Sequence, residues 1–161
     1  MDISLKKIPK EQRPILENLF PYYVYDMTEF MKWPPNENGQ YTFTPSTLDF
    51  YWQKSDHTPY FISAGNELAG FVLVRRYADT QRYDIEQFFV LRKFKRNGIG
   101  KKALEQVVKL HPGSWQIRVL LENTGALQFW KSAVTNIMGS QFTLTKENDD
   151  NLIMYFLKFE A

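Results

Sequence analysis

Residues 85–108 read IEQFFVLRKFKRNGIGKKALEQVV, a stretch whose residue types suit the holding of an anion. Four cations, Arg92, Lys93, Lys95 and Arg96, lead into Gly98 and Gly100, and an apolar repeat starts at Ile99. A helix N-terminus offers unpaired backbone N–H groups and the positive end of the helix dipole, and glycine lets an anion approach that backbone closely. Phosphate or pyrophosphate is the natural ligand of such a loop. A Walker loop is excluded, because it needs glycine at 95 and Ser or Thr at 102, where Lys95 and Lys102 stand. A dinucleotide fingerprint is the rival: GIGKKA fits G-x-G-x-x-A, and Glu122 follows at about 20 residues. That fold requires a nearly all-apolar strand running straight into the first glycine. Here Asp84, Glu86 and Gln87 interrupt the strand, and RKFKR separates Leu91 from Asn97.

The elements that must position this loop follow from the hydrophobic patterning. The 161 residues, 43% of them hydrophobic, fill one core, so residues 1–161 form a single domain. The formal net charge of +2 is a near-cancellation of 20 basic against 18 acidic residues, which excludes the broad cationic field of a nucleic-acid binder. Without cysteine there is neither disulfide nor thiolate zinc site, and His57 and His111 are a poor start for any metal. The N-terminus lacks a charged-then-apolar leader, and no apolar run approaches the roughly 18 to 20 residues that span a bilayer. A soluble cytoplasmic protein with no membrane partner is expected.

ISLKKI alternates as a first strand, and EQRPILENLF and PYYVYDMTEFMKW read as two helices divided by Pro21. Pro34 and Pro35 stop the second, and Thr44 is a candidate N-cap for a short helix over residues 45–54. PYFISA, ELAGFVLVRRY and QRYDIEQFFVL form a three-strand meander. The period then changes: Ile99, Ala103 and Val107 recur every four residues with Leu104 and Val108 beside them, so an amphipathic helix starts at the glycines. SWQIRVLLEN is a strand, TGALQFWKSAV a helix, and KENDDN joins two final strands in a hairpin. The order is mixed α/β.

FFVLRKFKRNGIGKKAL resembles the acyl-CoA signature of the GNAT superfamily of N-acyltransferases, Q/R-x-x-G-x-G/A after the fourth strand. IEQFFV is similar to the matching strand of polyamine acetyltransferases, and the FFVLRK and FW segments are like those of a group of predicted bacterial acetyltransferases. The resemblance follows the order of elements along nearly the whole chain. It implies an α/β (α+β) fold with a central mixed, mostly antiparallel sheet of about seven strands flanked by helices and splayed between the fourth and fifth. Lys95 stands where Arg or Gln is usual, which keeps the charge and gives up the guanidinium fork.

On the same resemblance, Lys95, Arg96, Asn97, Gly98, Ile99, Gly100 and Lys101 surround the pyrophosphate of acetyl-CoA. Phe88, Phe89 and Val90 run beside its pantetheine, and Asn123 matches the family asparagine just past the fifth strand. The position that is often the acid tyrosine is Trp130, whose indole N–H is no practical acid. Water, or a tyrosine such as Tyr83 or Tyr155, is then left to protonate the thiolate. Strand residues advance about 3.3 Å, so a carboxylate four to six residues before Val90 lies roughly 13 to 20 Å from it, towards the reacting end. Glu86 and Asp84 meet that condition, and by strand alternation both share a face with Phe88 and Val90 unless a bulge intervenes. Glu86, which matches the acidic position of the polyamine-type strand, is the first choice of base; its bland alternative is an exposed carboxylate facing Arg75, Arg76 or Arg82. For Asp84 a structural role is favoured.

The acceptor side is expected from the first helices and the loop after them, where Tyr22, Tyr23, Tyr25, Phe30, Trp33, Tyr41, Phe50, Tyr51 and Trp52 are interspersed with Asp26, Glu29 and Asp49. Aromatic faces with a few carboxylates hold organic cations. The expected activity is direct transfer of an acetyl group from acetyl-CoA to a primary amine on a small apolar or cationic body, by a monomer or homodimer with no metal and no nucleic acid. The alternative is a non-catalytic acyl-CoA sensor or interaction module, which Trp130 keeps open.

Overall fold

The alternating residues of seven segments pair into one sheet in a computed structural model that describes residues 1–161. The strands are β1 (Ile3–Lys7), β2 (His57–Ala64), β3 (Glu67–Arg76), β4 (Tyr83–Val90), β5 (Ser114–Leu120), β6 (Thr143–Asp149) and β7 (Leu152–Glu160), in the order β1-β2-β3-β4-β5-β7-β6. Every neighbouring pair is antiparallel except β4 and β5, which are parallel. The helices are α1 (Arg13–Met31), α2 (Phe50–Gln53), α3 (Ile99–Leu110) and α4 (Thr124–Met138). The antiparallel β3–β4 pairing rules out the doubly wound dinucleotide fold.

Both faces of the sheet are covered. On one, Val72, Val74, Ile85, Trp115, Ile117 and Leu157 pack with Ile99, Ala103, Leu104 and Val107 of α3 and with Trp130 and Val134 of α4. On the other, Phe61, Phe71, Leu73 and Phe89 pack with Leu16, Phe20 and Val24 of α1 and with Leu48 and Tyr51. Removing this much apolar surface from water is the main force holding the layers together.

Three local expectations are corrected. Residues 13–31 form one helix with Pro21 inside it, not two divided by it. Leu16, Phe20 and Val24 lie four residues apart and are all buried on the sheet, so continuous packing outweighs the one hydrogen bond that proline cannot donate. Residues 45–54 are not a single helix but a 3-10 turn over Pro45–Leu48 followed by the one turn of α2, and the Thr44 side chain makes no cap hydrogen bond. The third correction is a β-bulge. Leu73 pairs with Gln87 and Val74 with Ile85, which leaves Glu86 as the extra residue. Ile85 and Phe88 consequently both face α3 and α4, whereas Glu86 contacts Tyr51 of α2 and Gln87 lines a cleft beside α1. Glu86 therefore faces away from Phe88 and Val90, contrary to simple alternation.

Candidate active site

The gap between β4 and β5 is the feature around which the site is arranged. Only Tyr83 with Trp115 and Asp84 with Gln116 pair across it. Beyond Asp84 the strands diverge, and β4 from Ile85 to Val90 bonds to β3 on one edge while its other edge has no strand partner. Phe88 and Val90 lie towards α3 and α4, and Phe89 towards α1.

The cationic loop closes the mouth of this gap. Arg92–Phe94 make a 3-10 turn whose Phe94 is buried, and Lys95, Arg96, Asn97 and Gly98 are exposed in the turn that follows. Gly98 caps α3 at φ +73°, a left-handed conformation that disfavours any Cβ, although a Cβ there meets no atom within 4 Å. Gly100 has a different reason: its Cβ would stand 2.7 Å from Cζ of Phe129 and 3.5 Å from Cε1 of Phe88. No acidic residue occupies the first turn of α3. Ile99 is buried and anchors the helix start, and Arg96 and Lys101 form no ion pair, whereas Arg92 lies 3.0 Å and Lys95 3.9 Å from the Asp26 carboxylate on α1.

Asn123 is already employed: its Oδ1 accepts the Ala126 N–H at 3.0 Å and caps α4, leaving its amide N–H groups for other partners. Trp130 is 8% exposed, edge-on to Phe88 at 5.1 Å and to Phe129 at 4.9 Å. Tyr83 packs on Trp115 and His111, and Lys146 lies over the ring of Tyr155.

The phenols gathered at Glu86 are Tyr51 and Tyr23, which sequence patterning placed on the acceptor side without linking them to Glu86. Tyr51 donates its hydroxyl to Glu86 Oε2, and Arg75 Nη1 lies 3.2 Å from Oε1. Glu86 thus does have the arginine partner of its bland alternative, yet with its side chain 21% exposed it stays accessible. The edge of Tyr51 carries His57, buried and held at Nδ1 by Asp56 at 2.6 Å. Burial and the neighbouring Glu86 charge push the Tyr51 phenol far above its ordinary range. Burial likewise pushes Tyr23 up to about 12, opposed by Arg118 and assisted by Glu86. Both remain protonated donors at neutral pH.

Asp84 is fully buried. Oδ2 lies 2.6 Å from Arg118 Nε and accepts from Gln116 Nε2 at 3.1 Å, and Oδ1 has no partner. Burial pushes its carboxyl above the usual range, with Arg118 and Gln116 pulling it back. Arg118 also reaches Asp149 at 2.7 Å, so this chain of charges ties β4, β5 and β6 together where the gap begins. Nothing leaves Asp84 open to a substrate.

A cleft of about 430 Å³ opens beside Glu86 on the α1 side. Phe20, Tyr23, Val24, Trp33, Tyr41 and Phe43 wall it, and Gln87 forms its end. Of the aromatic residues expected to make an acceptor pocket, Tyr23, Trp33 and Tyr41 are there; Tyr25 is exposed and packs edge-on against Tyr41 from outside the lining, Tyr22 and Phe50 are exposed elsewhere, and Trp52 donates to the Ile8 carbonyl. No group of three or more His, Asp or Glu is placed to hold a metal ion, and no helix is long and apolar enough to cross a membrane.

The sequence profile of the acetyltransferase (GNAT) family matches residues 23–133, which run from within α1 into α4 and include the gap, the loop and Glu86. The chain belongs to that family. No curated protein matches it in sequence. Solved structures share the GNAT fold end to end. An acetyltransferase from Thermus thermophilus superposes with a TM-score of 0.72 at 13% identity over 100% of this chain and 98% of that one. The PaiA N-acetyltransferase from Thermoplasma acidophilum, in complex with coenzyme A, gives 0.67 at 13% identity over 100% of both. A histone acetyltransferase HPA2 and related acetyltransferase from Corynebacterium glutamicum gives 0.71 at 12% over 100% and 98%.

Proposed function

We propose that this GNAT protein transfers an acetyl group from acetyl-CoA to a primary amine by direct attack, with Glu86 as the base. The observation that carries the reading is the unpaired edge of β4 leading to the acid-free N-terminus of α3. That edge suits the amides of a pantetheine chain, and the N–H groups of the loop over Lys95, Arg96, Asn97, Gly98, Ile99, Gly100 and Lys101 suit a pyrophosphate. Backbone N–H near Phe89 or Val90 polarises the thioester carbonyl, and Asn123 offers its amide N–H to the pantetheine. The acceptor nitrogen loses a proton to Glu86, directly or through water; the C–N bond forms, the C–S bond breaks, and CoA leaves as a thiolate that takes up a proton. Tyr51 and Arg75 orient the Glu86 carboxylate for this task. Trp130, buried on Phe88, is assigned a packing role, and protonation of the thiolate is left to water.

Release of free CoA over time with a panel of amines, set against binding of CoA alone, tests this. Amine-dependent release is expected. Binding with no release above hydrolysis for any amine would identify a non-catalytic acyl-CoA module instead.

A further inference from the structure

The cleft beside Glu86 carries information about the acceptor that the loop does not. None of its 12 lining residues is charged. Asp26 is occupied by Arg92 and Lys95, and Asp49 by Arg13 at 2.7 Å, whereas Glu29 and Glu37 are exposed to solvent and neither lines the cleft. The polar groups at the rim are partly satisfied by one another, with Asn36 Oδ1 accepting from Gln40 N at 2.9 Å and Asn36 Nδ2 donating to Gln40 Oε1 at 3.2 Å. What remains is a set of rings, with Phe20 and Phe43 tilted at 4.6 Å and Tyr23 edge-on to Phe89 at 6.2 Å. Glu86 does not line the cleft itself, but the bulge turns it to the same side as Gln87, the next residue, which does.

Resting on the acetyl-transfer reading, we propose that the acceptor is a primary amine on a flat, uncharged apolar body, of the arylalkylamine kind, with its ring in the Phe20–Tyr23–Phe43 cleft and its nitrogen at Glu86. An amine with a second ammonium group, such as a polyamine or a basic peptide, has to bury that charge among uncharged walls, and an unpaired buried charge is disfavoured. An aryl ring gains edge and face contacts with the same walls.

The test uses 2-phenylethylamine, spermidine and a lysine-containing peptide, with calorimetric binding to the CoA-loaded protein and thiol release from acetyl-CoA as separate readouts. 2-Phenylethylamine is expected to bind at least about tenfold more tightly than spermidine. Phe43→Ala should weaken 2-phenylethylamine about tenfold and leave spermidine unchanged, whereas Thr42→Asp, which brings a carboxylate to the cleft, should move the preference towards spermidine. Selective binding of 2-phenylethylamine without thiol release supports the cleft assignment and removes the transferase reading. Fastest thiol release with spermidine or the peptide keeps the transferase reading and overturns this proposal, as does failure of 2-phenylethylamine to bind.

Discussion

Glu86 and Asp84 stand two residues apart on β4, yet Asp84 is fully buried and Glu86 is not. Glu86 is partly open, oriented by Tyr51 and Arg75, and next to the cleft. An alkyl amine is mostly ammonium at neutral pH, its ordinary pKa being about 10.4, so attack on a thioester requires a proton to leave. Glu86→Gln keeps the size and removes the proposed base; turnover should fall about 100- to 10,000-fold at pH 7 while CoA affinity holds, with partial recovery at higher pH as free amine increases. Steady-state rates and CoA titration check this, and a change within about threefold across that range would assign Glu86 to structure alone. Asp84→Asn should do the reverse. It leaves Arg118 half-buried with only Asp149, so urea unfolding should show a loss of about 3 kcal/mol, with any rate loss explained by the unfolded fraction.

The two glycines before α3 look alike as a motif but answer to different elements. Gly98 serves its own helix, because the cap is left-handed at φ +73°. Gly98→Asn should be tolerated, and Gly98→Val should cost about 1 to 2 kcal/mol and abolish CoA binding, whereas Lys95→Gln, on an exposed side chain, should weaken binding only modestly. Gly100 serves the contact between α3 and α4 through Phe129. Gly100→Ala should therefore lower the melting temperature, and Phe129→Leu in the same chain should restore part of the loss. A double-mutant cycle measured by thermal unfolding reads that coupling, and strict additivity would show that the Phe129 contact is unimportant.

At the scale of the whole molecule, stability depends on long-range pairings, and His111 joins several of them. It ends α3, hydrogen-bonds Tyr60 of β2 through Nε2 at 2.8 Å, and packs on Tyr83 and Trp115. Burial and Lys7 hold its pKa below the ordinary value, so the folded state prefers the neutral ring. The stability this represents is complete above the unfolded pKa, about 6.5, and is lost as pH falls through the lower folded value. Between pH 7 and 5 the melting temperature of the parent should drop more steeply than that of His111→Gln. Parallel profiles would mean that His111 titrates alike in both states. The amino-acid sequence by itself determined the loop, the start of α3, the meander and the final hairpin, because glycine conformation, helical period and turn chemistry act between residues a few positions apart. It misread Pro21, since the packing of Leu16, Phe20 and Val24 on the sheet, rather than the proline, sets the length of α1. Only the tertiary structure decided which way Glu86 points, because one bulged residue reverses strand alternation. It alone brought Tyr51 from 35 residues away to Glu86, closed Arg118 onto Asp84, paired Asp26 and Asp49 with cations, and lined the cleft with uncharged residues. Such contacts arise when the layers pack, and no local pattern encodes them.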